Sequence, residues 1–198
     1  MPTRYFKLSD DVALPGRWEL GNPTAPTGRE VEDPWIFREG QPLPEQGVLR
    51  IPIERPGASL DYSHAGFSIP ILHEKVAALF LERAPGDVQL LPVAIQGQSA
   101  RYFILNATRV VKCIDDRACK EVEYWMPEDG RPEKVGQYRD VYGMRIEPTK
   151  VGDARVFRTW GWTVALIVSE DIKQALECAG ASGVKFVDVT DPGIVGLS

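Results

Sequence analysis

Residues 154–189, ARVFRTWGWTVALIVSEDIKQALECAGASGVKFVDV, decide the fold because they predict a strand, a helix and a second strand in succession. The apolar run that ends at Val168 is short and rich in β-branched residues, as is typical of a buried strand. Ser169 follows at the N-cap position, where its side chain is expected to accept a hydrogen bond from a helical N–H. Glu170 and Asp171 then suit the positive end of the helix dipole. This pattern favours Ser169 as a helix cap over Ser169 as a nucleophile.

The helix predicted after this cap has one narrow apolar face and a glycine at its end. The face consists of residues at helical spacing, namely Ile172, Ala175, Leu176 and Ala179. Gly180 is expected to take the left-handed conformation that ends a helix. Gly183 then leads into a strand with alternating apolar residues, Val184, Phe186 and Val189. The stretch contains no catalytic constellation, so it predicts architecture and no chemistry.

An earlier stretch, residues 66–93, has a similar pattern and suggests an internal repeat. Its apolar run leads to His73 and Glu74, then to a helical face, a stop at Pro85-Gly86 and a strand that begins at Val88. With a constant offset of 96 residues, Glu74 falls on Glu170 and Val88 falls on Val184. Any two strand–helix–strand units resemble each other to some degree, so a true repeat and a chance similarity both stay open here.

The other segments complete the prediction of an α+β protein with a mixed or antiparallel sheet and two or three helices. Residues 1–57 hold nine of the sixteen prolines and six of the eighteen glycines, together with aromatic residues. We therefore expect a loop-rich N-terminal wrap over residues 1–60 on a main α+β core over residues 61–198, within one domain. Residues 49–53 alternate like a strand, but Pro52 restricts it to a sheet edge.

Residues 101–140 predict a hairpin followed by an exposed loop. The expected first strand runs from Tyr102 to Ile114, the turn lies at Asp115-Asp116, and the chain returns through Val122 and Trp125. The next segment, MPEDGRPEKVGQYRD (residues 126–140), has two prolines, two glycines and seven charged residues. Loops of this length in a small domain are often functional or mobile.

Composition and charge restrict the class of protein. The sequence is 43% apolar and 26% charged, with no apolar run long enough to span a bilayer, so we expect neither a membrane protein nor an exported one. A net charge of −5 disfavours direct nucleic-acid binding, which requires a basic surface. Three cysteines without a CxxC pair suit reduced thiols and a cytoplasmic location.

Recognised catalytic and cofactor motifs are absent from the sequence. His73-Glu74 begins an HExxH pattern, but Ala77 stands where the second histidine is required. There is neither a GxGxxG nor a GxxxxGK[ST] motif, so we expect no cofactor and no enzymatic activity. The remaining candidate is an acidic cluster, which suggests either a metal-dependent hydrolase or a solvated edge that a basic protein recognises. Its members are Asp115, Asp116, Glu121 and Glu123.

Several stretches resemble a known family. They are RYFKLSDD at the N-terminus, WIFREG at residues 35–40, LDYS at residues 60–63, KCIDDRACKEV at residues 112–122 and the run from Val156 to Val189. Together they resemble the eleventh immunity-protein family of bacterial polymorphic toxin systems, formerly a domain of unknown function, which includes myxobacterial members paired with nuclease toxins. The resemblance covers nearly the whole chain and is densest over residues 101–189.

The resemblance implies a cytoplasmic protein that binds a cognate toxin domain and blocks it without chemistry of its own. Such a toxin is delivered by a sibling cell or made by the same cell, and a nuclease would present a basic cleft to acidic residues. From the sequence we expect the contact surface to include Asp115, Asp116, Glu121, Glu123, Glu128, Asp129, Glu133 and Tyr138. The alternatives are the hydrolase named above and a scaffold subunit of a secretion or envelope assembly.

Overall fold

The stretch that predicted a strand–helix–strand unit forms one in the computed structural model, which describes residues 3–190. Two α-helices and fourteen strands are present in that range. The helices are α1 (Glu74–Arg83) and α2 (Glu170–Cys178). The strands are β1 (Tyr5–Asp10), β2 (Glu19–Leu20), β3 (Leu49–Ile51), β4 (Ile53–Arg55), β5 (Tyr62–Ala65), β6 (Ile69–His73), β7 (Val88–Ile95), β8 (Tyr102–Ala107), β9 (Val110–Val111), β10 (Glu121–Tyr124), β11 (Tyr138–Tyr142), β12 (Val156–Thr159), β13 (Trp162–Ser169) and β14 (Val184–Asp188).

These strands form two five-stranded sheets and two two-stranded ribbons. The first sheet has the order β14-β1-β13-β12-β9, and the second has the order β3-β7-β8-β6-β5. Each sheet is mixed, because β9 runs parallel to β12 and β3 runs parallel to β7, while the other pairs are antiparallel. The ribbons are β2-β4 and β10-β11. The predicted α+β class with mixed sheets is confirmed.

The two strand–helix–strand units have the same topology. In the second sheet β6 and β7 lie on either side of β8, and in the first sheet β13 and β14 lie on either side of β1. Their boundaries also correspond, since the N-caps, the first helical residues and the following strand starts are each 96 residues apart. These pairs are His73 with Ser169, Glu74 with Glu170, and Val88 with Val184. Whether the units share a sequence ancestor stays a prediction.

The helix ends follow the sequence signals with one exception. His73 caps α1, because its Nδ1 accepts the N–H of Lys75 at 3.1 Å. Ser169 holds the N-cap position of α2, but the expected side-chain cap is wrong: its hydroxyl donates to the carboxylate of Asp171. The carbonyl of Arg4, in the segment before β1, accepts the Glu170 N–H instead, at 2.9 Å.

The C-terminal end of α2 is a Schellman motif, as the glycine predicted. Gly180 has φ +62°, its N–H donates to the carbonyl of Glu177, and the Ala181 N–H donates to the carbonyl of Leu176. Gly183 is also constrained, because a Cβ there would lie 2.1 Å from the carbonyl oxygen of Tyr62. These two glycines let the chain leave α2 and enter β14 beside β1.

The N-terminal segment does more than wrap the core. β1 lies between β13 and β14, so the first strand of the chain is an interior strand of the first sheet. β3 is the edge strand of the second sheet, as expected from the proline, but the strand expected over residues 49–53 is interrupted at Pro52, and β4 pairs with β2 instead. The division into residues 1–60 and 61–198 stays a prediction.

The hairpin predicted for residues 101–125 is wrong. β8 ends at Ala107, and the chain crosses to the first sheet, where β9 pairs with β12. β10 pairs instead with β11. The first residues of β11 lie in the segment 126–140, for which the sequence predicts an exposed loop. Residues 102–114 are apolar on both faces for two reasons. β8 is an interior strand of the second sheet, and Cys113 and Ile114 pack on the first sheet.

Three apolar clusters lie between and outside the sheets. The central cluster joins both sheets with α1 and α2, and Phe80, Leu176 and Leu105 are fully buried in it. Trp18 and Phe37 of the N-terminal segment cover the outer face of the second sheet. The segment between β9 and β12 covers the outer face of the first sheet. Within residues 3–190, no helix has the length and apolar content that a membrane-spanning helix requires.

Candidate functional site

The predicted contact residues all lie in one segment, residues 113–151, which we call the acidic module. It consists of a turn at residues 115–120, the β10-β11 hairpin with its connecting loop, and a return to Val151. Its inner side packs on the first sheet through residues that are buried, including Cys113, Val141, Met144 and Ile146. The apolar residues of the segment therefore hold the module on the first sheet, and its polar residues face solvent.

One face of the β10-β11 hairpin is acidic. The pairing register places Glu121 opposite Tyr142 and Glu123 opposite Asp140, while Val122 and Val141 point to the core. Because side chains alternate along a strand, Glu121, Glu123, Asp140 and Tyr142 share the outer side. We call these four residues the acidic face. Its tyrosine is 52% exposed.

The acidic face carries negative charge that is not neutralised locally. None of its three carboxylates forms an ion pair within residues 3–190. Glu123 lies directly opposite Asp140, and like charges at that position destabilise a strand pair. A hydrogen bond with Asp140, and then the charges of Asp140, Glu123 and Glu121, raise the pKa of the Tyr142 hydroxyl. The acidic face therefore has a negative electrostatic potential, which attracts a cationic group.

The two aspartates of the preceding turn have structural partners. The Oδ1 atom of Asp115 accepts the N–H groups of Arg117 and Ala118 at 3.1 and 3.3 Å, which closes the turn. The carboxylate of Asp116 accepts the hydroxyls of Tyr124 and Tyr138, the latter at 2.6 Å. Both aspartates therefore hold the module together.

Tyr138 is a buried residue that stabilises the module. It is 8% exposed, its ring stacks on Tyr124 with centroids 5.0 Å apart, and it lies against Gly161 at the β12-β13 turn. Burial and the hydrogen bond to Asp116 raise the pKa of its hydroxyl, which therefore stays protonated as a donor. Tyr138 orients Asp116 and joins the module to the first sheet.

The loop between β10 and β11 contains two short 3₁₀ helices, Pro127–Asp129 and Pro132–Lys134. Asp129 accepts the Met126 N–H at 2.8 Å and pairs with Arg139 at 3.3 Å, so it stabilises the loop. Glu133 is exposed and lies 3.6 Å from Arg131. Glu128 is exposed and has no ion pair within the described range. Of the predicted loop residues, Glu128 is the one most available to a partner.

The carboxylates that a metal-dependent hydrolase would use are not brought together. Within residues 3–190 no group of three or more His, Cys, Asp or Glu side chains has a metal-binding arrangement. A cavity of about 480 Å³ beside the turn is lined by Asp115 and Asp116, but also by the cations Lys112, Arg117 and Lys150. The donor geometry that the hydrolase hypothesis required is not found in this part of the chain.

Sequence reasoning missed Asp140 and Tyr142, which belong to the acidic face. Among the predicted features, Asp140 is only one of the seven charged residues of the loop at 126–140, and Tyr142 has no assigned role. The alternation in YRDVY, residues 138–142, is the pattern that indicates a strand there. Because the sequence predicts a different partner for β10, the pairing that forms the acidic face does not follow from it.

The chain matches the model of a known protein family. The model of the Immunity protein family (Imm11) matches residues 87–191, more than half of the chain. The matched region contains the whole acidic module and the second strand–helix–strand unit. No curated protein matches the chain.

Proposed function

The chain belongs to the Immunity protein family (Imm11), and from this premise we propose that it binds a cognate toxin domain through the acidic face and neutralises it by occlusion. The observation that carries the choice of surface is the cross-strand pair of Glu123 and Asp140 beside an exposed Tyr142. A fold that only had to be stable would gain from a cation at either position. A basic partner supplies the missing positive charge.

The partner that fits this face is a basic protein domain, and a nuclease is such a domain. A nuclease cleft binds phosphates, so three carboxylates spaced along a hairpin can occupy it in place of the substrate. Inhibition then requires no chemistry from the immunity protein. Tight association alone keeps nucleic acid away from the toxin's active site.

Tyr142 gives the acidic face an apolar contact at one end, opposite Glu121. Exposed tyrosines surrounded by charged residues are common among the residues that dominate binding energy. In an association of this type the carboxylates accelerate the encounter, and the aromatic contact slows dissociation. The proposal includes a cytoplasmic location, which the free thiols of Cys113, Cys119 and Cys178 support.

The test uses a toxin domain encoded beside this chain, produced together with it and separately. The double variant Glu121→Lys/Glu123→Lys should bind the toxin at least about a hundredfold more weakly, since two attractive contacts become repulsive. The parent association rate should fall steeply as salt is raised, and the variant rate should not. Stopped-flow mixing and survival of toxin-producing cells measure both effects.

A matched control is Glu30→Lys/Glu32→Lys, which reverses two exposed acidic residues at the same spacing elsewhere on the chain. Asp116 is a poor choice for this purpose, because its loss releases both tyrosine hydroxyls and disturbs the module. Equal protection by the two double variants would show that the acidic face is not the contact surface. Recovery of a secretion or envelope complex instead of a toxin would favour the scaffold alternative.

A further inference from the structure

A groove of about 520 Å³ lies on the other side of the hairpin loop, between the acidic module and the N-terminal segment. Three tryptophans line it, namely Trp35 in the 3₁₀ helix Pro34–Arg38, Trp125 directly after β10 and Trp162 at the start of β13. Three cations, Arg38, Lys134 and Arg139, line it as well, against one anion, Glu39. The groove is thus aromatic and positive, unlike the acidic face.

The cations of the groove lie over its tryptophans. The Cζ of Arg38 is 4.7 Å from the ring centroid of Trp35, and Lys134 Nζ and Arg139 Cζ are 5.3 and 5.6 Å from that of Trp125. Such contacts hold the charged groups at the groove surface. Arg139 also pairs with Asp129, whereas Arg38 and Lys134 form no ion pair within residues 3–190.

A second arginine lies beneath the groove without a counter-charge. Arg158 is 1% exposed, and its Nη1 donates to the carbonyl of Val164, a lining residue, at 3.1 Å. Its Nε and Nη2 atoms have no hydrogen-bond partner, and neither has the Nε of Arg38. Burial lowers the pKa of Arg158 to about 10, and the nearby charge of Arg38 acts in the same direction. Arg38 lines the groove and Arg158 is buried behind its lining residue Val164, so two guanidinium groups without a carboxylate partner in the described range make the groove favourable for an anion.

The rim of the groove provides an exposed apolar anchor. Trp35 is 51% exposed and packs edge-on against Phe67, with centroids 5.3 Å apart. Phe67 has φ +60°, a conformation that bulky residues rarely adopt, and its carbonyl accepts the Nη1 of Arg38 at 2.7 Å. Strain of this kind is retained where the surrounding structure requires a particular side-chain position.

We propose that this groove binds an acidic segment of a protein partner, in which apolar side chains lie next to carboxylates. The carboxylates would pair with Arg38, Lys134 and Arg139, and the apolar side chains would pack on Trp35 and Trp125. Tryptophan and arginine are the residue types that most often dominate protein interfaces. The inference goes beyond the proposed function, because it requires neither a toxin nor the acidic face.

A nucleic acid fits the groove less well, although stacking on tryptophan would suit its bases. Its phosphates would continue past the groove along the loop that carries Glu128 and Glu133, both exposed. The chain as a whole has a net charge of −5. A nucleic acid longer than the groove would therefore meet repulsion, while a short acidic segment would not.

The experiment titrates the full chain with a short synthetic peptide of glutamate, leucine and glycine, followed by tryptophan fluorescence and calorimetry. The parent should bind with a dissociation constant below about 1 mM. The double variant Lys134→Gln/Arg139→Gln should bind about tenfold or more weakly, because charge-assisted contacts are lost. Trp35→Ala should also weaken binding and reduce the fluorescence change.

Two controls make the result specific. The double variant Lys112→Gln/Arg117→Gln removes the same amount of charge outside the groove. Its lysine also lies over a tryptophan, 4.3 Å from the ring centroid of Trp160. This variant should bind the peptide like the parent. A peptide with glutamine in place of glutamate should not bind. The proposal is overturned if the parent does not bind the acidic peptide, if the glutamine peptide binds equally, or if both double variants weaken binding alike. Tighter binding of a single-stranded oligonucleotide, lost in Lys134→Gln/Arg139→Gln, would also overturn it.

Discussion

The two strand–helix–strand units turn their apolar faces toward each other, whereas the β10-β11 hairpin leaves one face in solvent. α1 and α2 pack together over both sheets, and their inward residues are fully buried. The hairpin buries Val141 and half-buries Val122, but its outer side carries three carboxylates and Tyr142. The units form the central core of the protein, whereas the hairpin places a charged face in solvent.

The two regions differ in how closely they follow the rules for a stable fold. Positions in the units follow the rules for a stable core, since the apolar period and the glycines at the end of α2 agree with the fold. The hairpin breaks one of those rules, since Glu123 faces Asp140 across the strand pair. The neighbouring pair, Val122 opposite Val141, follows the rule that apolar residues face the core. The like-charge pair is therefore a local exception next to a pair that follows this rule.

The largest expected effect is in the packed units. Phe80→Ala should lower the free energy of unfolding by about 3–5 kcal/mol, because it leaves a cavity where α1 meets α2. Leu81→Ala, on the same helix and 48% exposed in the parent, should cost less than about 1 kcal/mol. Urea denaturation measures both. Similar costs for the two variants would contradict the burial of this helix face.

An intermediate effect is expected at Asp10, at the end of β1. Burial alone would raise the pKa of this carboxyl, but hydrogen bonds from His64 and Arg17 lower it to about 2. A carboxyl whose pKa is lowered on folding stabilises the protein above its unfolded pKa, near 4, and loses that contribution as the pH falls toward 2.

Asp10→Asn should therefore lower the free energy of unfolding by about 2 kcal/mol at pH 5, and the difference from the parent should shrink as the pH approaches 2. Urea denaturation across this pH range measures it. Asp11→Asn, one residue later and less buried, is the control and should show a smaller change. A difference between Asp10→Asn and the parent that is independent of pH would contradict the assigned ion pairs.

The smallest effect has the opposite sign. Glu123→Lys should raise the free energy of unfolding by about 0.2–1 kcal/mol, because it replaces a like-charge pair with an attractive one opposite Asp140. The same variant should bind the toxin more weakly. Glu121→Lys, opposite the neutral Tyr142, should gain less stability. If Glu123→Lys lowers stability, the carboxylates do not repel each other and the cost assigned to the hairpin is wrong.

Much of the fold was predictable because local signals specified it. The α+β class, the start of α2 after Ser169, the end of α2 at Gly180 and the edge position of β3 all follow from short patterns, although the side-chain cap expected from Ser169 does not form. The candidate site was predictable only as a region. Of the eight residues predicted as contacts, four form hydrogen bonds or an ion pair with other residues of the acidic module, namely Asp115, Asp116, Asp129 and Tyr138.

The sequence by itself determined where helices begin and end and which residues are apolar on each face, since these depend on neighbours within a few turns. Only the tertiary structure decided that β1 enters between β13 and β14, that β10 pairs with β11, and that Glu123 meets Asp140. It also placed Trp35 and Trp125 in the lining of one groove and Arg38 near Arg158. Such juxtapositions join residues far apart in the chain, and they are selected by packing and hydrogen-bond pairing that no local period encodes.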